Sequence, residues 1–412
     1  MMGECEFRIE DCLTQIAMLD ADIGAWEHVD SAGARSRARE LDGVNIKGPL
    51  HGMAIGVKDI IDVAGMPTRC GSPIYAQNVA RVDAACVALA RAAGAIVIGK
   101  TVTTELATFQ PAATRNPQNL EYTPGGSSSG SAAAVSAGMV PIAMGTQTAG
   151  SIIRPAAYCG VVGFKPTFGM VPRAGVKMQS GTLDTVGVFT RTIDDAIKWH
   201  SAMTGARTAM AEPTGGRPLR ITIITSLLDH ADVDMSVAVA EAADALSAAQ
   251  VRVKELRLPA IFDTSTTDQR VIQMSEMARM YSLEFSAYRN LLSPGLAAMI
   301  EEGRAIDSHV YMAAIGRADG LRKQADLLLG DCDAWLMPAA PGAAPKGLQS
   351  TGDPIFSRAN TLLQQPAINL PVYRNKNRMP LGLQLIGARH QDEKLLATAR
   401  RVIDILRNAT HG

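Results

Sequence analysis

A chain of 412 residues with 47% apolar side chains can bury a large core, as one large α/β domain or as two or three smaller units. Basic and acidic residues balance at 40 each and aromatic residues make up only 4%. No basic footprint for nucleic acid or an anionic membrane is therefore present, and no aromatic platform for stacked bases. The six cysteines (Cys5, Cys12, Cys70, Cys86, Cys159 and Cys332) form no CxxC pair, which points away from a disulfide framework or a zinc site and toward reduced thiols in a cytoplasmic protein. The opening MMGECEFRIEDC lacks the basic and apolar regions of a signal peptide, and no uninterrupted apolar run reaches the ~18 residues of a membrane span. A soluble chain without metal is expected.

In chain order, residues 1–48 read as helical segments, with a polar turn within 20–30. Residues 53–57 form a strand-like run ending at Lys58. Residues 81–94 carry apolar side chains at helical spacing, and 95–98 read as a buried strand. A short Ala-rich helix is predicted over 131–138, closed by Gly138, and a strand over 139–144. Further on, 219–225, 233–248 and 251–258 make a strand–helix–strand unit, and 274–329 read as mostly helical with a break at Pro294 and Gly295. Strands are predicted at 334–337 and 381–386, and a helix over 392–406. This alternation predicts an α/β layered fold with a buried sheet in a single domain. Its parts are a helical segment 1–48, a core 49–200 and a remainder 201–412.

Three segments carry candidate chemistry. GGSSSGS (Gly125–Ser131) has the composition of a flexible linker, yet it runs straight into a helix and a strand, so it belongs inside the fold. A Gly-rich turn opening a helix gathers backbone N–H groups and hydroxyls into one space. Its match to G-x-S-x-G fails as a nucleophile elbow, because a polar stretch ending in Pro124 precedes it instead of an apolar strand. GTQTAGS (Gly145–Ser151) lacks the lysine of a P-loop; a turn there would set Ser151 beside free N–H groups, as in an oxyanion hole, or would be an ordinary strand–helix turn. Lys58, in MAIGVKDIID, is either a strand-end lysine paired with Asp59 or a lysine of lowered pKa.

Together these segments resemble the amidase signature family of serine hydrolases. The likeness runs from GVKDIIDVAGMPT (Gly56–Thr68) through GKT (Gly99–Thr101), RNP (Arg115–Pro117) and GFKPT (Gly163–Thr167) to STGDP (Ser350–Pro354), QPAINLP (Gln365–Pro371) and PLGLQLIG (Pro380–Gly387). It implies a mixed central sheet covered on both faces by helices, no cofactor, and a Ser–cis-Ser–Lys triad. In this chain the triad maps onto Lys58 as base, Ser127 as the relay across a cis peptide and Ser151 as nucleophile, with the amides of Thr148, Ala149, Gly150 and Ser151 as oxyanion hole. The reaction implied is hydrolysis of a small amide through an acyl-enzyme; an ester, carbamate or hydrazide would suit the same triad.

Departures from the family pattern are Gln147 for an aspartate, Ala149 for a glycine, and KTVT (Lys100–Thr103) for KTNM. If the replaced glycine needed a positive φ, Ala149 would displace an oxyanion donor. GTQT, the sequence around Arg154 and STGDP are most similar to the malonamidase branch, where homodimers are common. There, the arginine matching Arg154 pairs with a substrate carboxylate; an internal salt bridge is the other reading of this residue. The family also contains glutamine-amidotransferase subunits that work on charged tRNA.

Overall fold

The computed structural model describes residues 2–45, 47–206, 215–330 and 332–411. Eleven strands are formed among the described residues: β1 (Trp26–Val29), β2 (Ala54–Lys58), β3 (Ile96–Thr101), β4 (Ile142–Gln147), β5 (Val162–Lys165), β6 (Thr185–Thr190), β7 (Arg220–Ile224), β8 (Arg252–Leu256), β9 (Ala334–Pro338), β10 (Ala367–Arg374) and β11 (Pro380–Ile386). They join into one sheet in the order β1-β3-β2-β4-β6-β5-β10-β11-β9-β7-β8. The sheet is mixed. β3, β2 and β4 run parallel, as do β9, β7 and β8, while the pairs between these two groups are antiparallel.

Apart from the edge strands β1 and β8, the strands are mostly buried on both faces, so many of their sequences read as near-continuous apolar runs whose side chains still alternate between two layers. In β3, Val97 enters one core cluster while Ile96 and Ile98 enter another. In β9, Leu336 and its neighbours Trp335 and Met337 divide the same way. Helices supply the other walls. Val233–Ala248 shows why they form: Asp232 caps it by accepting from the Met235 N–H, and Met235, Ala238, Val239, Ala242 and Leu246 make a buried stripe at helical spacing.

Most predicted elements stand, with shifted ends. The turn expected within 20–30 holds more: the helix Glu4–Ile23 ends at Gly24, in the left-handed conformation, and β1 follows at once as an edge strand on β3. The helical stretch 274–329 is resolved into Ser265–Met280, Ser282–Ala287, Pro294–Ala305 and Ser308–Leu329, with Pro294 opening a helix instead of merely breaking one. β4 begins three residues later than predicted, after Pro141.

Candidate active site

Parallel β2 and β4 are neighbours in register, Val57 opposite Met144, so their carboxyl ends bring Lys58 beside the 146–151 turn. Such strand ends are where open α/β sheets place ligands. The helix Ser129–Ser136 returns over this edge, and the serines preceding and opening it have separate partners. Ser128 Oγ donates to the Thr146 carbonyl (3.2 Å), and Ser131 Oγ meets the Met144 carbonyl (2.9 Å) and Thr101 Oγ1 (2.7 Å), which pins the helix to the sheet. Close approach explains Gly130: a Cβ there would lie 2.2 Å from the Ala25 carbonyl oxygen. Ser127 is free of such duty, and the Gly126–Ser127 peptide is cis.

Lys58 is fully buried. Its Nζ donates to Ser127 Oγ (2.7 Å) and Thr146 Oγ1 (2.9 Å), and no carboxylate lies within salt-bridge reach of it among the described residues. Burial pulls its pKa from 10.5 down to about 7, opposed by the attraction of Asp184. Asp59, the charge partner in one of the two readings of Lys58, instead pairs with Lys100 at 3.0 Å, both side chains being buried, because β3 places Lys100 next to the end of β2. That corrects the pairing suggested by sequence adjacency.

Ser151 is half-buried and its hydroxyl has no protein hydrogen-bond partner among the described residues. No hydrogen bond joins Ser127 Oγ to Ser151 Oγ among the described residues. Nor do the N–H groups of Thr148, Ala149, Gly150 and Ser151 donate to any protein acceptor among the described residues, so the turn offers four amides. Ala149 has no positive φ, so alanine fits this position without left-handed strain. Gly150 is dictated by proximity, since a Cβ would come within 2.8 Å of Pro354 Cβ.

Gln147 holds the turn from below. Its Oε1 accepts from the N–H groups of Ile152 (2.9 Å) and Ile153 (3.0 Å), where the helix Ile153–Cys159 begins, and its Nε2 donates to Thr361 Oγ1 (3.0 Å). An aspartate could accept in the same way but could not make that last contact. The single Thr361 hydroxyl proton is shared between the Ala149 carbonyl (2.9 Å) and the Ser357 carbonyl of its own helix (2.8 Å). Thr148 Oγ1 donates to Asp184 (2.5 Å), whose other oxygen accepts from the Gln179 and Ser180 amides. Burial raises the Asp184 pKa, against the hydrogen bonds from Thr148 and those two amides.

Arg154 is buried without a carboxylate partner within 4 Å among the described residues, which removes the internal salt bridge as its explanation. One guanidinium nitrogen, Nη2, donates to the Gly126 carbonyl (2.8 Å) and Thr351 Oγ1 (3.1 Å); Nε and Nη1 have no partner among the described residues. Burial lowers its pKa to about 10. Arg154 and Ser151 line one narrow cleft with Ala107, Thr148, Gln179 and Gln273. Leu106 and Ala107 both have positive φ, and their carbonyls are held by Tyr281 Oη and Gln179 Nε2.

The residues that sequence reading missed at this site are Thr146, Asp184, Gln269, Gln273, Thr351 and Thr361. Thr146 lay within the GTQTAGS segment and Thr351 within STGDP; the others come from elements whose approach only the fold decides.

A fold of this kind with a buried lysine, two serines and an amide-rich turn defines an amidase-type enzyme acting on carbon–nitrogen bonds. The family model for amidases matches residues 8–396, and the chain belongs to that family. A curated relative, the A subunit of glutamyl-tRNA(Gln) amidotransferase from Shouchella clausii, is 35% identical over 96% of this chain and 92% of its own. Among solved structures, an amidase superimposes with a TM-score of 0.87 at 28% identity, covering 96% of this chain and 95% of its own. The peptide amidase of Stenotrophomonas maltophilia gives 0.84 at 27%, over 98% and 94%. The curated relatives thus point to the A-type subunits of amidotransferases and not to a malonamidase branch. Among the described residues, no helix is long and apolar enough to cross a membrane.

Proposed function

We propose that the protein is an amidase that hydrolyses a small amide through an acyl-enzyme on Ser151. The observation that carries this reading is Lys58, fully buried with the hydroxyls of Ser127 and Thr146 as its acceptors, a setting whose burial pulls its pKa down to about 7. An ordinary lysine is neutral in only about one molecule in 2,500 at pH 7; a pKa near 7 makes about half of the molecules competent. Neutral Lys58 takes the proton of Ser127 as Ser127 takes that of Ser151, whose oxygen attacks the amide carbonyl. The amides of 148–151 stabilise the negative charge that develops on the carbonyl oxygen. The relay then runs backward: Ser127 gives the proton to the departing amine, and the C–N bond breaks. Water repeats the sequence on the acyl-enzyme and releases the acid.

For the substrate, the two unpartnered guanidinium nitrogens of Arg154, in the same cleft as Ser151, favour an amide with a carboxylate close by, such as malonamate. Ammonia release from malonamate and from propionamide, with S151A as control, tests both parts. Turnover of malonamate alone, abolished in S151A, is expected. Turnover of propionamide at equal efficiency would sink the carboxylate role, and turnover in S151A would sink the nucleophile.

The relatives favour a second reading, an amidotransferase component of the A type. Hydrolysis of small amides without any partner protein separates the two, since a component that works only within an assembly stays silent. Ester, carbamate and hydrazide substrates remain compatible with the same triad and belong in the same panel.

A further inference from the structure

The parallel strands β9, β7 and β8 repeat, at the far end of the sheet, the arrangement that builds the candidate active site. Beyond the ends of β7 and β8 lies a second cavity, walled by Leu258, Phe262, Leu363 and Ile386. Two further lining residues are buried and polar. Trp335 Nε1 and both side-chain polar atoms of Gln365 have no hydrogen-bond partner among the described residues, although the two residues are 2% and 0% exposed. A buried unpaired polar atom costs on the order of 1–3 kcal/mol, so three in the wall of one apolar cavity need an account.

We infer that this cavity binds a small uncharged molecule with an apolar body and a carboxamide end, and that its occupancy acts on the 148–151 turn. The orphan set is two kinds of N–H donor and one carbonyl acceptor, which matches the two lone pairs and the N–H of a carboxamide. The one carboxylate lining the cavity, Asp263, is exposed at its rim and disfavours an anion.

The route to the active site is a shared wall. On the helix Ile355–Leu362, Ala359 and Asn360 line the cavity, while the Thr361 hydroxyl lies against the Ala149 carbonyl (2.9 Å). Arg358 of the same helix donates to Gln269 Oε1 (2.5 Å), and Gln269 Nε2 donates to the Thr148 carbonyl (2.9 Å). Ser265 and Thr266, at the start of the helix that carries Gln269, also line the cavity. A ligand that shifts either helix moves the carbonyl side of the peptides whose N–H groups face the cleft.

The test uses benzamide as probe on the full-length S151A protein, whose three tryptophan indoles (Trp26, Trp199 and Trp335) are followed by ¹⁵N NMR and assigned by W26F and W199F. A saturable shift of the Trp335 indole signal is expected, with Trp26 and Trp199 unmoved and benzoate without effect. Q365L removes the unpartnered amide and is expected to keep or raise the melting temperature while weakening benzamide at least tenfold. In the wild-type protein, benzamide is expected to change the rate of Ser151 labelling by a fluorophosphonate at least twofold, and this effect should be lost in Q365L. A silent Trp335 signal, or equal binding by folded Q365L, overturns the site. Binding without any change in labelling overturns the action on the turn. The NMR arm needs no turnover, so its failure is distinct from failure of the amidase reading.

Discussion

Lys58 shows how little a depressed pKa means without its partners. Lys165 is equally buried, and its pKa is likewise pulled down to about 7, but its Nζ donates to the backbone carbonyls of Pro166 and Gln365. A carbonyl has no proton to give. Lys58 meets hydroxyls, one of them on the residue next in line to Ser151. On this basis kcat/KM for amide hydrolysis should rise with pH through about 7 and then level off, as Lys58 becomes neutral. Asp184 supports the charged form of Lys58, so D184N should move that limb to lower pH. A pH–rate profile of both proteins checks this; an unmoved limb in a folded D184N protein would exclude Asp184 as a tuning group. Burial itself was hinted at by the oily flanks of Lys58, and the family resemblance named Ser127 as its partner; Thr146, 88 residues away in the chain, was not foreseen.

At the scale of elements, the 146–151 turn is held from three sides: by Gln147 from within, by the helix Ile355–Leu362 behind it, and by Gln269 from the helix Ser265–Met280. Gly150 sits where the Ile355–Leu362 helix comes closest, against Pro354. G150A should therefore displace the turn and reduce the turnover or fluorophosphonate labelling of Ser151 by about 10²-fold, the usual effect of losing one oxyanion donor. A149G should leave both close to wild type, because Ala149 does not occupy a left-handed conformation. Parallel labelling rates decide. The shorter elements were the ones hidden in the sequence. β1 has four residues and a mixed polar pattern, and Ile153–Cys159 spans seven residues with Pro155 inside it, too few to display a period.

Across the whole molecule, the Lys100–Asp59 pair locks the ends of β2 and β3. Lys100 Nζ also donates to the Pro67 carbonyl (2.9 Å) and Thr68 Oγ1 (2.8 Å), and Asp59 accepts from the Arg69 amide (2.9 Å). Burial works against both charges, lowering the Lys100 pKa and raising that of Asp59 to about 6. Removing one partner leaves the other buried and unpaired, so K100M should cost about 3–5 kcal/mol, read as a lower urea midpoint. The D59N/K100M double variant should recover part of that loss. Equal loss in the double variant would show that the packing of Lys100, and not the charge pair, accounts for the effect.

The sequence by itself determined the α/β layering, the helix Val233–Ala248 to the residue, and the segments carrying Lys58, Ser127, Ser151 and Arg154. These are local properties: periodicity, turn chemistry and motif spacing survive in one dimension. Only the tertiary structure decided that Lys58 faces hydroxyls instead of Asp59, that Arg154 has no acidic partner among the described residues, and that one helix backs both the 148–151 turn and a second cavity. Strand order and register bring distant residues together. Desolvation then depends on everything packed around a group, which no neighbouring letter in the chain reports.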